Sequence, residues 1–257
     1  MKLTTFYKIY YRHRFKKASF VLKIYLILTI FFKYILNLFY LPKKKNLDNY
    51  SKENQNLFDQ DLNYLCEYFN SDKGEKFKNQ YAKPSKQEDK KIIAHGYAKI
   101  YEKYLKKHKD EYLNIIELGS FYGNASAAFY FYFKNAQIYS ADINPDMYLY
   151  RSKRLKNFFT DTSSRTSIEK NILSRNIEFD LIIEDASHML KDQIVSLFIL
   201  FKNLKSGGFF IVEEIDFPEK REDMRFGQEF PDLKTILKKI VNKENFNSKY
   251  INEKEKN

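Results

Sequence analysis

Carboxylates recur at or near the ends of short apolar segments between residues 113 and 216. Each segment has the length and composition of a buried strand. Parallel strands end at one edge of a sheet, where open α/β folds bind their ligands, so we expect these acids to line one edge. Such a row of acids suits ribose hydroxyls and hard cations. The acids are Glu117, Asp142, Asp161, Glu184, Asp185, Glu213 and Glu214.

The turn after the first segment contains two of the seven glycines, Gly119 and Gly123, in the sequence ELGSFYG. Gly119 permits a tight turn and the close approach of a ligand to the backbone. A helix that begins near Gly123 offers unpaired N–H groups. The dinucleotide fingerprint G-x-G-x-x-G is absent. The bulky residues between the glycines would crowd a pyrophosphate but accommodate a nucleoside with a short amino-acid tail.

Two acids next to this turn sharpen the cofactor prediction. Glu117 would repel a phosphate and attract an ammonium or sulfonium group. Asp142, 19 residues after Gly123, is suitably placed for a ribose diol. Together they favour S-adenosylmethionine (SAM) over NAD. For the two glycines alone, a turn without any ligand remains the alternative.

A second group of residues, in EDASH and VEE, predicts a metal site. Asp185 and the pair Glu213–Glu214 end neighbouring segments, and adjacent parallel strands lie about 4.8 Å apart. Three carboxylates so close would repel each other unless a cation neutralised them. Oxygen ligands of this kind suit Mg²⁺, or alternatively Mn²⁺. His188 could then take the proton of a metal-bound hydroxyl. Taken singly, these residues could also be a helix cap, a loop histidine and a solvated acidic pair.

The alternation of strands and helices from residue 113 predicts a doubly wound, mainly parallel α/β sheet. The stretch NPDMYLYRSKRL is expected to be one of its helices. Gly207–Gly208 is expected to end the long helix that precedes the last strand. We divide the chain into a basic amphipathic segment (1–45), a linker with a helical lid (46–110) and the α/β core (111–257). The linker is the polar stretch KKKNLDNYSKENQ, and the lid helices are expected at 56–70 and 92–109.

The net charge of +12 is concentrated at the N-terminus. Residues 1–45 hold 11 Lys or Arg and no acid, so the other 212 residues hold 34 basic (45 − 11) and 33 acidic residues. A nearly neutral body argues against a nucleic-acid partner. The single cysteine, Cys66, excludes an internal disulfide and is typical of a reducing compartment. We therefore expect a cytoplasmic protein.

Residues 20–41 form the most apolar stretch of the chain. Lys23 and Lys33 divide it into uncharged runs too short for a clean membrane span of about 20 residues. Its polar residues gather on one side of a helical wheel and leave a wide apolar face. A helix lying on the inner surface of the membrane is favoured. A helix packed on the protein or on a second subunit, and a true span, remain open.

The motifs NSDKG, HGY, ELGSFYG, SADINP, TDT, IIEDASH and SGGFFIVEEID occur in the order of one class I SAM-dependent methyltransferase family. Over residues 65–220 the chain resembles the metal-dependent sugar O-methyltransferases of the macrocin and mycinamicin type. The resemblance implies that SAM lies across the first turn and that His188 is the base. It assigns Glu117, Gly119, Gly123, Asp142 and Asp161 to SAM, the last on its adenine side, and Asp185, Glu213 and Glu214 to the metal.

The resemblance implies a SAM- and Mg²⁺-dependent O-methyltransferase that acts on a hydroxyl of a small molecule, sugar or glycolipid. The SDKG loop and the His95–Tyr97 helix would form a lid over the methionine end. Residues 1–45 are not part of the family core, which suggests peripheral contact with a membrane. The family sheet closes with an antiparallel pair, and we expect those C-terminal strands to be missing. A catalytically inert membrane-surface protein of methyltransferase descent and an NAD-dependent oxidoreductase are the alternatives.

Overall fold

The computed structural model describes residues 3–11, 15, 18–39, 43–78, 94–215 and 231–252. Its strands, in chain order, are β1 (Lys45–Asn46), β2 (Asn114–Leu118), β3 (Gln137–Asp142), β4 (Tyr150–Arg151), β5 (Leu155–Phe159), β6 (Phe179–Glu184) and β7 (Leu204–Val212). Five of them form one sheet in the order β5-β3-β2-β6-β7, and every neighbouring pair is parallel. The predicted doubly wound, Rossmann-like architecture is confirmed.

The helices alternate with these strands from β2 onward. In chain order they are α1 (Leu3–Tyr10), α2 (Phe20–Phe39), α3 (Leu47–Glu53), α4 (Leu62–Tyr68), α5 (Tyr97–Leu105), α6 (Asn124–Tyr132), α7 (Arg165–Asn171), α8 (Leu190–Leu200) and α9 (Leu233–Val241).

The core lies on both faces of the sheet because successive side chains of a strand point to opposite faces. On β2, Ile115 packs in the cluster formed with α4, α5 and α6. The next residue, Ile116, packs in the cluster formed with α7 and α8. Helix α6 is buried from Ala125 to Tyr132, which agrees with its run of alanine and aromatic residues. Packing on both faces of the sheet holds in place the strands whose ends bear the site residues.

The carboxyl ends of the strands are aligned by hydrogen bonds that continue past the strands themselves. The Gly119 N–H donates to the Ala141 carbonyl at 2.8 Å, and the Asp185 N–H donates to the Leu118 carbonyl at 3.0 Å. The Glu213 N–H donates to the Glu184 carbonyl at 2.9 Å. The residues directly after β2, β6 and β7 therefore lie side by side. Four of the predicted site residues therefore end a strand or directly follow one: Gly119, Asp142, Asp185 and Glu213.

Two local predictions within the α/β core are wrong. The long helix ends at Leu200 in a short 3₁₀ turn, and Gly207–Gly208 lies inside β7, where the register with β6 is irregular. Gly207 has φ +79, so the glycine serves a strand irregularity instead of a helix end. The stretch predicted as the helix NPDMYLYRSKRL begins with a 3₁₀ turn and continues into β4. Asn144 and Pro145 begin that turn, which suits their turn propensity.

The polar stretch predicted as a linker is ordered instead, because its side chains satisfy the local backbone. The Asn46 side chain accepts hydrogen bonds from the N–H groups of the first turn of α3. Strand β1 pairs with β4, and Leu47 is fully buried. The Asp48 carboxylate accepts hydrogen bonds from the Ser152 hydroxyl (2.6 Å) and the Lys153 N–H (2.9 Å). The predicted helix at 56–70 is likewise divided into a 3₁₀ turn and α4, which is capped by Asp61.

The predicted N-terminal helix is present as α2, packed on α1 through a small cluster of Phe6, Tyr11 and Leu26. Most other large apolar side chains of α2 are exposed. None of the described helices has the length and hydrophobicity that crossing a membrane requires. In the described part after β7 (213–215 and 231–252) the structure contains α9 and no further strand.

Candidate active site

A cavity of about 300 Å³ opens at the carboxyl ends of β2, β3 and β6, where the strand order reverses. Its volume is at the lower end of the ~300–1,000 Å³ range of small-molecule sites. Five of the predicted site residues line it: Glu117, Gly119, Asp142, Asp185 and His188. Ser71, Asp72 and Lys73 form another part of the wall. The structure thus brings together acids from three strands and a loop from the predicted lid.

Gly119 allows the first turn to pack against the loop after β6. Its φ is +86, and a Cβ atom at this position would lie 2.0 Å from the Asp185 carbonyl oxygen. Gly123 begins α6 with φ +77, and a Cβ there would lie 2.3 Å from the Tyr148 ring. Both glycines are therefore required by the protein's own packing. The sequence predicted a tight turn and the close approach of a ligand at Gly119, but not this contact between the turn and the loop after β6.

Asp142, the last residue of β3, is held by backbone donors. Its Oδ2 accepts a hydrogen bond from the Phe121 N–H at 2.8 Å, and its Oδ1 accepts one from the Asn144 N–H at 2.7 Å. Burial raises the pKa of Asp142, while these two hydrogen bonds act in the opposite direction. Each oxygen keeps acceptor capacity for a further donor, as a ribose diol would require.

Glu117 is buried at the base of the cavity. Its Oε2 accepts a hydrogen bond from the Ser126 hydroxyl at 2.8 Å, and Ser126 is linked through Ser140 to the Tyr148 hydroxyl at 2.9 and 2.8 Å. Burial raises the pKa of Glu117 to about 7. The carboxyl group is therefore partly protonated near neutral pH. A cationic ligand in the cavity would favour its charged form.

The predicted acidic cluster contains a cation from the protein itself. The Lys73 ammonium lies 2.6 Å from Asp185 Oδ2 and 2.8 Å from Glu213 Oε2, with Glu117 Oε1 at 3.6 Å. Tyr101 donates a short hydrogen bond to Glu213. Burial by itself lowers the pKa of Lys73, but the three carboxylates raise it well above the ordinary value. Lys73 is therefore charged and neutralises part of the cluster.

Glu214 points to the predicted lid instead of to Lys73. Its Oε1 accepts a hydrogen bond from the Tyr97 hydroxyl at 2.9 Å and lies 3.1 Å from His95 Nδ1. Its φ is +52. The lid residues His95 and Tyr97 thus contact the acidic strand end, a role that their sequence positions did not reveal. Within the described ranges, no group of three or more His, Cys, Asp or Glu side chains is arranged to hold a metal ion.

His188 lines the cavity beside Asp185. Its Nδ1 lies 3.8 Å from Asp185 Oδ1, and about a quarter of its side chain is exposed. Its φ is +56, a left-handed conformation that is uncommon for residues other than glycine. The turn after β6 therefore directs an imidazole and a carboxylate to the same part of the cavity.

Two acids from the sequence pattern lie outside the cavity wall. Asp161 follows β5, and its Oδ1 accepts hydrogen bonds from the N–H (3.1 Å) and hydroxyl (2.6 Å) of Ser163. It is not among the residues that line the cavity. Glu184 is fully buried, and burial raises its pKa to about 8. Burial therefore favours the protonated form of Glu184 and places this acid in the core instead of at the site.

Sequence reasoning missed Lys73, Tyr97 and Tyr101 as partners of the acidic cluster. A signal for Lys73 was available, because three carboxylates at one edge require a cation and Lys73 lies in the conspicuous NSDKG loop. Nothing in the spacing connected residue 73 with residues 185 and 213. The two tyrosines lie in the lid helix predicted at 92–109, for which the sequence indicated no contact with the strand ends.

Comparisons with known proteins show what this chain resembles in sequence and in fold. No family model matches the chain. A curated protein of Streptomyces olivaceus, 8-demethyl-8-alpha-L-rhamnosyl tetracenomycin-C 2'-O-methyltransferase, is 24% identical over 128 residues, which are 47% of this chain and 33% of that protein. The chain therefore spans about a third of the length of this relative.

Similar solved structures include the MycE methyltransferase of the mycinamycin biosynthetic pathway. The complex with Mg and SAH has a TM-score of 0.56 and 19% identity, covering 71% of this chain and 45% of that chain. The complex with Mg, SAH and mycinamycin VI has a TM-score of 0.54 and 17% identity, covering 71% and 48%. The chain has the fold of these enzymes. The resemblance predicted from the motifs is confirmed as a similarity.

Proposed function

We propose that this chain is a SAM-dependent O-methyltransferase that transfers a methyl group to a hydroxyl of a sugar or glycan precursor. The observation that carries the proposal is the cavity in which Glu117, Gly119, Asp142, Asp185 and His188 meet. The similarity to a rhamnosyl 2'-O-methyltransferase and to a macrolide methyltransferase supports the sugar acceptor.

The residues of the cavity fit SAM better than a dinucleotide. Asp142 has acceptor capacity for a ribose diol beyond its two backbone hydrogen bonds. Glu117 presents a buried carboxyl group that a cationic ligand would keep ionised and that would repel a phosphate. When bound, SAM supplies a methyl group already activated by the sulfonium.

The chain's own residues would bind, orient and deprotonate the acceptor. His188 would take the proton of the acceptor hydroxyl on its imidazole, because it lies at the cavity wall beside a carboxylate. Asp185, with Oδ1 3.8 Å from Nδ1, would stabilise the resulting imidazolium. The wall formed by Ser71 and Asp72 would exclude water from the methionine side. Positioning of this kind supplies much of the rate in a transfer from an activated donor.

The carboxylates also have the chemistry of a divalent-metal site. Asp185 and Glu213 already converge on one cation, the Lys73 ammonium, and oxygen donors of this type suit Mg²⁺. In the proposed function they would hold the metal, with Glu214 as the third predicted ligand. A bound Mg²⁺ supplies Lewis acidity that lowers the pKa of a substrate hydroxyl. The Mg in the two similar solved structures supports this part of the proposal.

Calorimetric titration of the purified chain with SAM, and separately with NAD, tests the cofactor. We expect micromolar binding of SAM and no binding of NAD; binding of NAD alone would contradict the proposal. In a methyl-transfer assay over sugar acceptors, His188→Ala should keep SAM affinity and lose transfer. His108→Ala is the matched control, since His108 pairs with Glu111 at the opposite end of the sheet and should leave transfer unchanged.

We further infer that α2 lies on the surface of an anionic membrane. Its exposed side chains include Phe20, Leu28, Phe31 and Phe32, each exposed by more than half. An exposed apolar surface built from several large side chains is unusual for a helix that faces water alone. The surrounding segment, 1–45, contains 11 Lys or Arg and no acid, which complements anionic lipid headgroups.

Flotation of the full chain with phosphatidylcholine vesicles, with and without phosphatidylglycerol, tests this inference. Binding should require the anionic lipid and be lost in the double variant Leu28→Glu/Phe32→Glu. Val241→Glu is the matched control, because Val241 is 80% exposed on α9. Failure to float together with concentration-dependent dimerisation would show that the apolar surface binds a second copy instead.

A further inference from the structure

Lys73 is the most deeply buried cation of the site. Its side chain is 2% exposed, although lysine is almost never fully buried unless it is paired. Its ammonium contacts two carboxylate oxygens within 3 Å, Asp185 Oδ2 and Glu213 Oε2. These are two of the oxygens on which the proposed metal site depends.

The main chain around Lys73 is fixed, so its side chain is the part that can move. The Lys73 carbonyl accepts a hydrogen bond from the Ala98 N–H at 2.8 Å, which ties it to α5. The Ser71 N–H donates to the Cys66 carbonyl at 2.7 Å, which ties the loop to α4. The His95 N–H donates to the Asp72 carbonyl at 2.7 Å. The loop therefore presents Lys73 to the acidic cluster from a rigid base.

An ammonium and a divalent cation would compete for these oxygens. Mg²⁺ binds carboxylate oxygens at about 2.0–2.1 Å in near-octahedral geometry. Lys73 Nζ lies 2.6 and 2.8 Å from the same two oxygens, within the space that a metal and its ligands would need. A metal ion bound to these oxygens would lie close to Lys73 Nζ, and two cations so close to each other repel strongly in a buried site. Binding of either cation to the two oxygens therefore weakens the binding of the other or displaces it.

We propose that Lys73 is an internal counter-ion that fills the carboxylate cluster while no metal is bound, and that a divalent cation binds Asp185 and Glu213 by displacing its ammonium group. The inference rests on the proposed metal-assisted methyl transfer, which it deepens. Because Lys73 also lines the cavity with Ser71 and Asp72, its displacement changes the cavity wall. Metal binding and cofactor binding are then coupled through one side chain.

Mn²⁺ titration of the full chain, followed by the electron paramagnetic resonance of free Mn²⁺, tests the competition. Lys73→Met keeps the length of the side chain and removes its charge, so we expect it to bind Mn²⁺ about tenfold tighter than the unaltered chain. Lys99→Met is the matched control: Lys99 pairs with Glu75 at 2.6 Å on the surface, and its loss should leave Mn²⁺ affinity unchanged. Equal affinity in the unaltered chain and Lys73→Met, or no binding by either, would overturn the proposal.

Lysine footprinting of the unaltered chain provides a second test in case Lys73→Met fails to fold. Without metal, Lys73 should resist amine acetylation, while the exposed Lys76 and Lys99 react as internal standards. Saturating Mg²⁺ should make Lys73 reactive and leave the two standards unchanged. Continued protection of Lys73 at saturating Mg²⁺ would overturn the displacement. Neither experiment uses SAM, so a failure of the SAM titration would refute the proposed function separately.

Discussion

The two ends of the site hold their carboxylates in different ways. At the β3 end, Asp142 is bound by backbone N–H groups of Phe121 and Asn144, 21 and 2 positions away in the chain. At the β7 end, Glu213 is bound by side chains of Lys73 and Tyr101, 140 and 112 positions away. The first arrangement belongs to the strand–turn–helix unit itself. The second requires the lid elements to pack on the finished sheet.

We call the β3 end of the site, around Asp142, its preorganised half, and the β7 end, around Glu213, its conditional half. Backbone donors cannot leave Asp142 without a change in the turn, so we expect the half proposed to bind the cofactor to keep its shape whether or not a ligand is present. The Lys73 side chain has a flexible four-carbon stem and can be exchanged for another cation. We therefore expect mutations in the first half to act on folding or SAM affinity, and those in the second half to act on stability and metal binding.

The largest effect is expected at the turn between the two halves. Gly119→Ala would place a methyl group 2.0 Å from the Asp185 carbonyl oxygen at φ +86, so we expect a loss of about 4 kcal/mol or more in the free energy of unfolding. Urea denaturation measures it. Gly207→Ala is the matched control, with φ +79 and no atom within 4 Å of the added Cβ, and should cost only about 1–2 kcal/mol. Similar losses in both variants would refute the packing role of Gly119.

The pH dependence of stability tests the burial of Glu117. Its pKa is raised by burial from 4.5 to about 7 in the folded chain, so the folded state binds the proton more tightly than the unfolded state. Stability should therefore fall as pH rises from about 5 to 8, by about 2 kcal/mol from this group. Glu117→Gln should remove that part of the slope in urea titrations at each pH. The control Glu178→Gln replaces an exposed glutamate and should keep the slope; an unchanged slope in Glu117→Gln would contradict the prediction.

Tyr101→Phe sharpens the comparison at the conditional end. It removes the hydroxyl that donates to the buried carboxylate of Glu213, leaving Lys73 as the partner that the structure shows there. We expect a loss of about 1–3 kcal/mol in the free energy of unfolding in metal-free buffer, from the unsatisfied acceptor. Added Mg²⁺ should recover part of this loss. Tyr104→Phe, on the half-exposed face of the same helix, should change stability little; equal losses would mean that the Tyr101 hydroxyl has no special role.

Asp142→Asn tests the preorganised end with the smallest expected change. The amide can still accept one backbone hydrogen bond but loses the charge that would bind a ribose diol, so SAM affinity should fall about tenfold by calorimetry. Asp161→Asn is the matched control. Asp161 lies outside the cavity wall, and we expect unchanged affinity, although the resemblance assigned it to the adenine side. A larger loss in Asp161→Asn than in Asp142→Asn would reverse the assignment of the two acids.

Much of the fold followed from the sequence because its signals are local. The apolar segments from 114 to 212 alternate with helices, and each of the five predicted strands is present, although β5 and β7 begin earlier than predicted. Errors arose where two local signals competed. Gly207–Gly208 resembled a helix end but lies in a strand, and the polar residues around Asn46 resembled a linker but cap a helix. The three-part division of the chain and the roles of the site residues remain predictions.

The sequence by itself determined the parallel sheet and the acids that gather at its carboxyl edge. The pattern of apolar segments and the parallel direction of the strands suffice to place Asp142, Asp185 and Glu213 at that edge, because each lies at or directly after the end of its strand. Only the tertiary structure decided what neutralises them. Lys73 reaches the acidic cluster because α4 and α5 pack against the core and their backbone groups bind the segment 71–73 beside the strand ends. A contact between residues more than 100 positions apart depends on that packing, and no local pattern encodes it.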